Sequence, residues 1–135
     1  MENISINHLA VLSCAALNLL LGAAWYSPLL FYKIWRDANG FTDEQIASGS
    51  RPWHYAIVFV LALIISYNLA AFLGDSNTGP KWGLTAGFLA GFGFSALLAG
   101  IIGIFERRSW RYLVINGGFM TVWMSLSGLI IGIWR

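Results

Sequence analysis

The sequence predicts an all-α membrane protein, four transmembrane helices in a compact bundle with a short interfacial helix between helices 1 and 2. Three observations predict it. Four apolar stretches, Leu9–Ala24, Tyr55–Leu73, Trp82–Phe105 and Tyr112–Trp134, contain no Asp, Glu, Lys or Arg. Runs of about 20 such residues are what a helix needs to cross a hydrocarbon layer roughly 30 Å thick. The chain is 58% hydrophobic and only 10% charged, against about 25% charged in soluble domains. Finally, the basic residues gather in alternate connections, as they do in multi-pass proteins. With 135 residues the chain forms a single integral membrane domain, residues 1–135, with spans near 7–26, 53–73, 81–105 and 111–134.

The first span ends in Gly22-Ala23-Ala24, small residues that resemble a signal-peptide cleavage site. Its leading segment carries Glu2 and no basic residue, whereas a signal peptide needs a positive n-region; the run is therefore expected to stay in the membrane. Cys14 lies inside it, the sole cysteine, and reads as a small packing residue. Ser27-Pro28 interrupts the helix, and Pro is favoured in a first helical turn, so Ser27 is expected to cap a new segment beginning at Pro28. From Leu29 to Ala38 the apolar Leu30, Phe31, Ile34 and Ala38 recur at helical spacing, with Lys33, Arg36 and Asp37 opposite. That is an interfacial helix or a kinked continuation of the span. Asn39-Gly40 ends it. Thr42-Asp43-Glu44-Gln45 has capping-box spacing and predicts a turn or two of helix to about Ala47, before Gly49-Ser50 and Pro52.

The second and third spans are joined by Gly74–Pro80, a turn dense in Gly, Asn, Asp and Pro. The third and fourth are joined by Glu106–Ser109, short enough to make an antiparallel hairpin. Lys33, Arg36 and Arg51 follow the first span; Arg107, Arg108 and Arg111 follow the third. The positive-inside rule puts both connections, loops 32–52 and 106–111, in the cytoplasm and both termini outside, in a bacterial inner membrane. Trp25, Tyr26, Trp35, Trp53, Tyr55, Trp110 and Tyr112 sit at the inner boundary and Trp82 and Trp134 at the outer one, levels that amphipathic rings prefer. Trp123 falls mid-span and reads as a packing residue.

The third span repeats small residues at every fourth position: Gly83, Gly87, Gly91, Ser95, Ala99 and Gly103. Lipid tails give helices no hydrophobic reason to associate, so close backbone approach over small residues does that work. The row therefore faces a helix, either within its own bundle or in a second copy. Gly117, Thr121 and Ser125 form a shorter counterpart on the fourth span.

Ionisable groups are nearly absent from the spans. His8 and His54 lie near opposite boundaries and cannot share a metal. No metal set, no nucleophile with a base and no cofactor motif is visible, and a net charge of +2 is too small to point to nucleic acid. The neutral polar residues Asn18, Asn68 and Asn116 remain, as interhelical glue or as the lining of a path. Depth counted from the inner boundary suggests an Asn18–Asn116 contact.

The segment from Asn18 through Gly22-Ala23-Ala24-Trp25-Tyr26-Ser27-Pro28 to Phe31, with Trp35 and Gly40-Phe41-Thr42-Asp43-Glu44-Gln45, resembles the small bacterial membrane proteins grouped as domain of unknown function 1761. The likeness continues at Phe105-Glu106 and Leu113–Gly118, and its specific part is Gly22, Trp25, Tyr26, Ser27 and Pro28. It implies a four-span membrane protein and brings no activity or catalytic residue with it. The expected function is a non-enzymatic helix-packing module that self-associates or docks on a membrane partner, with membrane lipids around it. The alternative is a small channel or transporter with a neutral polar lining. An enzyme is the least supported class.

Overall fold

The computed structural model describes residues 4–134; Glu2, which enters the signal-peptide argument, lies outside them. The order is α1 (His8–Trp25), α2 (Tyr32–Asn39), α3 (Asp43–Gly49), α4 (Pro52–Phe72), α5 (Pro80–Ala90), a π-helical segment (Gly91–Ala96), α6 (Leu97–Phe105) and α7 (Trp110–Ile133). α1, α4, the continuous rod from α5 through α6, and α7 are each long and apolar enough to cross a membrane. Their ends carry local signals. Asn7 Oδ1 accepts from the Leu9 and Ala10 amides at 3.0 and 3.2 Å. Pro52 and Pro80 open α4 and α5, where a missing N–H costs nothing.

Between α1 and α4 the capping box forms as expected. The Gln45 amide donates to Thr42 Oγ1 at 3.1 Å and the Thr42 amide to Gln45 Oε1 at 2.8 Å. α3 runs on to Gly49, about two residues past the expected end. The start of α2 differs more. Ser27 does not cap a helix at Pro28; its Oγ donates back to the Ala24 carbonyl at 2.7 Å. Residues 27–31 form a turn, and α2 begins only at Tyr32. A serine hydroxyl after a helix can satisfy an orphan carbonyl just as it can an orphan amide, and here the carbonyl wins.

α7 is the hub. A third of its span window, 33%, is buried, against 11% for the rod from α5 to α6. It packs against that rod on one side and α1 on the other, and α1 in turn packs against α4. The glycine row of the third span meets α7 of the same chain. A Cβ at Gly83 or Gly87 would overlap the carbonyl oxygen of Gly128 or Met124, and one at Gly91 would lie 2.8 Å from the Met120 carbonyl oxygen. Gly128 answers from α7, where a Cβ would lie 3.1 Å from Gly87 Cα.

Past Gly91 the row changes phase. The π-helical segment widens the turn, so the next residue against α7 is Ala96, five positions on. Its Cβ lies 3.3 Å from where a Cβ on Gly117 would stand. Ser95 and Ala99 are half-buried, and Gly103 returns to close contact with Leu113.

Burial is unequal between the two halves. The apolar core consists of Ala10, Val11, Cys14 and Ala15 of α1, Ala62, Leu69 and Ala70 of α4, Leu73, and Trp123, Met124 and Ile131 of α7. All lie at or beyond the helix midpoints, toward the end that holds Asn7 and Trp134. Ile115 is the one buried apolar side chain among the described residues in the other half. There α4 exposes Ile57, Val58, Val60 and Leu61, and α6 exposes Leu98, Ile101, Ile102 and Ile104. The bundle is closed at one end and splayed at the other.

Both basic connections lie at the splayed end. α2 ends in a Schellman motif, with Gly40 at φ 70° and the Phe41 amide reaching the Arg36 carbonyl at 3.1 Å. α6 ends the same way, with the Arg108 amide on the Gly103 carbonyl at 2.9 Å. Its left-handed position is Arg107, at φ 61°, a conformation that costs a residue with a Cβ roughly 1–2 kcal/mol. Arg107→Gly should therefore stabilise the protein by about 1 kcal/mol in reversible unfolding from detergent micelles. A destabilisation would show that the guanidinium does more than its backbone loses.

Candidate functional site

The Gly22–Pro28 block builds the splayed end. The Trp25 indole N–H donates to the Ile115 carbonyl at 3.0 Å, and the Tyr26 hydroxyl donates to Asn116 Oδ1 at 2.6 Å. Consecutive residues closing α1 thus grip consecutive residues of α7. Around them the rings interlock. Trp25 lies 4.8 Å from Phe31 and 6.3 Å from Phe119; Tyr26 lies 5.6 Å from Phe119 and 5.5 Å from Trp35; Trp35 lies 5.8 Å from Phe41. Such tilted and edge-on pairs contribute about 0.5–1.5 kcal/mol each beyond area burial. Glycines make room for them. A Cβ on Gly118 would stand 3.1 Å from the Trp25 ring, while Gly22 lies in ordinary contact distance of Phe119. Ser27 and Pro28 turn the chain so that the Phe31 amide meets the Trp25 carbonyl at 3.1 Å and α2 folds back over the cluster.

This cluster walls a cavity of about 350 Å³ between α2, α6 and α7. Its rim carries Asn39, Glu106 and Arg108, and its floor Met120, Ile102 and Ala99. Arg108 stacks on Tyr112, 4.8 Å from the ring centroid, and faces Glu106 at 3.5 Å. Above α2 a second polar knot ties it to α3. The Tyr32 hydroxyl and Arg36 Nη1 both donate to Asp43 Oδ1, at 2.7 and 2.9 Å. These donors, Tyr32 first, hold the Asp43 carboxyl below the usual aspartate range.

The three asparagines do not converge within the chain. Asn116 is taken by Tyr26, Asn18 is half-buried without a hydrogen bond among the described residues, and Asn68 is exposed on α4. The expected Asn18–Asn116 contact is absent because Trp25 and Tyr26, not Asn18, lie level with Ile115 and Asn116. α7 begins more than a turn beyond the end of α1, so equal counts from each boundary are unequal depths. Three span hydroxyls bond their own helix, Ser66 donating to the Ala62 carbonyl, Thr121 to Gly117 and Ser125 to Thr121, each four residues back, whereas the buried Ser127 Oγ has no partner among the described residues. His8 pairs with the Tyr67 hydroxyl at 2.8 Å, and His54 Nδ1 accepts from the Arg51 amide at 2.8 Å. Trp123 is buried and donates to the Cys14 carbonyl at 2.9 Å. Among the described residues no group of three His, Cys, Asp or Glu has metal-binding geometry.

Phe119, Gly118 and Tyr112 carry much of this site without having been singled out for it in the sequence. The available signal is the spacing of Asn116 and Phe119, one turn apart on the face that meets Tyr26.

Four apolar spans with α7 as their hub, and an aromatic latch tying α1 and α2 to α7 at the splayed end, define a multi-pass helical membrane protein. Residues 9–132 match the family described as Protein of unknown function (DUF1761), and the chain belongs to that family. No curated protein and no solved structure matches it.

Proposed function

We propose that the protein is a non-enzymatic membrane module whose splayed half docks an apolar helix, of a second copy or of another membrane protein. The orientation that fits is basic end in the cytoplasm and both termini outside, in a bacterial inner membrane. The observation that carries the reading is the packing asymmetry. One half holds, among the described residues, every apolar side chain buried to a few per cent exposure except Ile115, while the inner halves of α4 and α6 leave theirs open. Small-residue packing is already used between α5 and α7, so association through that row would require the fold to open. The free surface lies instead on α4 and α6. A conduit has weaker support, because Ser66, Thr121 and Ser125 bond their own helices and Asn18, Asn68 and Asn116 do not converge within the chain.

A photo-crosslinking residue in place of Ile57 or Leu61, in native membranes, tests this. Adducts to protein are expected at both, and to lipid alone at Phe72, which is exposed at the closed end. Lipid adducts alone at all three positions would overturn the proposal.

A further inference from the structure

On its other side α2 borders a groove that shares only Phe31 and Ile115 with the aromatic latch. Its polar mouth, about 460 Å³, is lined by Lys33, Asp37, Ser109 and Arg111. It continues into an apolar channel of about 450 Å³ formed by Phe31, Ile34, Val114 and Ile115. The two cavities share Ile34, Trp110 and Arg111, so they form one path from charged rim to hydrocarbon.

We propose that this groove binds an anionic phospholipid, its phosphate at the mouth and one acyl chain along the channel. Three features favour that occupant. Lys33 and Arg111 are exposed and carry no ion pair among the described residues. The acid at the mouth, Asp37, is engaged by Arg36 Nε at 3.1 Å, so the local balance is positive, and Arg107 adds charge from the adjoining turn. Ser109 caps α7, a helix of 24 residues, whose first amides, those of Trp110 and Arg111, have no acceptor within the helix and carry the positive end of its dipole. The channel below is almost wholly apolar and opens where the splayed bundle meets lipid. A free anion would leave that channel empty; a zwitterionic lipid would bring its own ammonium beside cations already in excess. Trp110, its indole beneath Arg111 at 5.5 Å, sits at the join, the level at which such rings anchor.

Native mass spectrometry of the full chain in detergent tests it, by titration with phosphatidylglycerol and with phosphatidylcholine of the same acyl chains. Phosphatidylglycerol should bind preferentially. The double variant Lys33→Gln/Arg111→Gln should lose about 30-fold in its affinity, each basic side chain near a lipid surface contributing roughly fivefold. Ile34→Asn should weaken it several-fold through the channel alone, and Lys81→Gln, at the other end, should not. Equal binding of the two lipids, an equal loss in Lys81→Gln, or an unaffected Ile34→Asn would overturn the proposal. Displacement of the lipid by millimolar inorganic phosphate would also overturn it, by making the site one for a free anion.

Discussion

Replacing Gly87 by alanine should destabilise the fold by about 2 kcal/mol or more, and replacing it by leucine should prevent the hairpin of the third and fourth spans from closing. The added Cβ overlaps the Met124 carbonyl oxygen and lies 2.9 Å from Ser125 Cα. Both are backbone atoms of α7, so no rotamer change relieves the clash and the helices must separate. Overpacking of this kind costs about 1–3 kcal/mol even where side chains can adjust. Separation would also forfeit the opposed contact of Gly128 with Gly83. Gly100→Ala is the matched control. A Cβ there meets nothing within 4 Å, and alanine is the better helix former by about 1 kcal/mol, so that variant should hold or gain stability. The loss at Gly87 should be independent of the protein-to-detergent ratio, because α7 belongs to the same chain. Equal effects at the two glycines, or a loss that disappears on dilution, would transfer the row to an interface between copies.

The row also marks the boundary of what could be read in the sequence. That it faces a helix followed from the chemistry of small residues in lipid; which helix did not, because Gly128 is as plausible a partner in a second copy as in the first. Its phase beyond Gly91 was hidden as well. A four-residue repeat extrapolates a regular α-helix, and the π-helical segment that moves the contact to Ala96 leaves no periodic trace in Gly91-Phe92-Gly93-Phe94-Ser95. Span positions and the Thr42–Gln45 box were legible because each depends on a short window: burial in hydrocarbon on about 20 residues, a capping box on four. The pairing of Tyr26 with Asn116 depends on how far α7 extends past α1, a tertiary offset. Ser27 shows the same limit on a smaller scale, since its hydroxyl had two orphan groups within reach and only the fold chose between them. The splayed half has no sequence signature, because lipid-facing and partner-facing positions are equally apolar.

Trp25→Ala should detach α2 while leaving the closed end intact. The indole is the one side chain that bonds α7 at Ile115, stacks on Phe31 at the entry to α2 and touches Phe119. Truncating a fully buried tryptophan costs about 3–5 kcal/mol; Trp25 is half-buried, so roughly 2–3 kcal/mol is expected. The core of Val11, Cys14, Leu69 and Trp123 lies in the other half and shares no contact with it, and effects at separated sites add independently. Hydrogen exchange should therefore accelerate at the amides of residues 32–39 and remain slow in the half of α7 that ends at Ile133. Trp25→Phe keeps the ring contacts and gives up the bond to the Ile115 carbonyl, so its cost should stay near 1 kcal/mol or less, the usual value of a single interhelical bond in a membrane. The two variants separate ring packing from the hydrogen bond. Uniform acceleration through all four spans would mean that the two halves unfold as one unit, and the splayed end would then be no separate docking element but an inseparable part of the core.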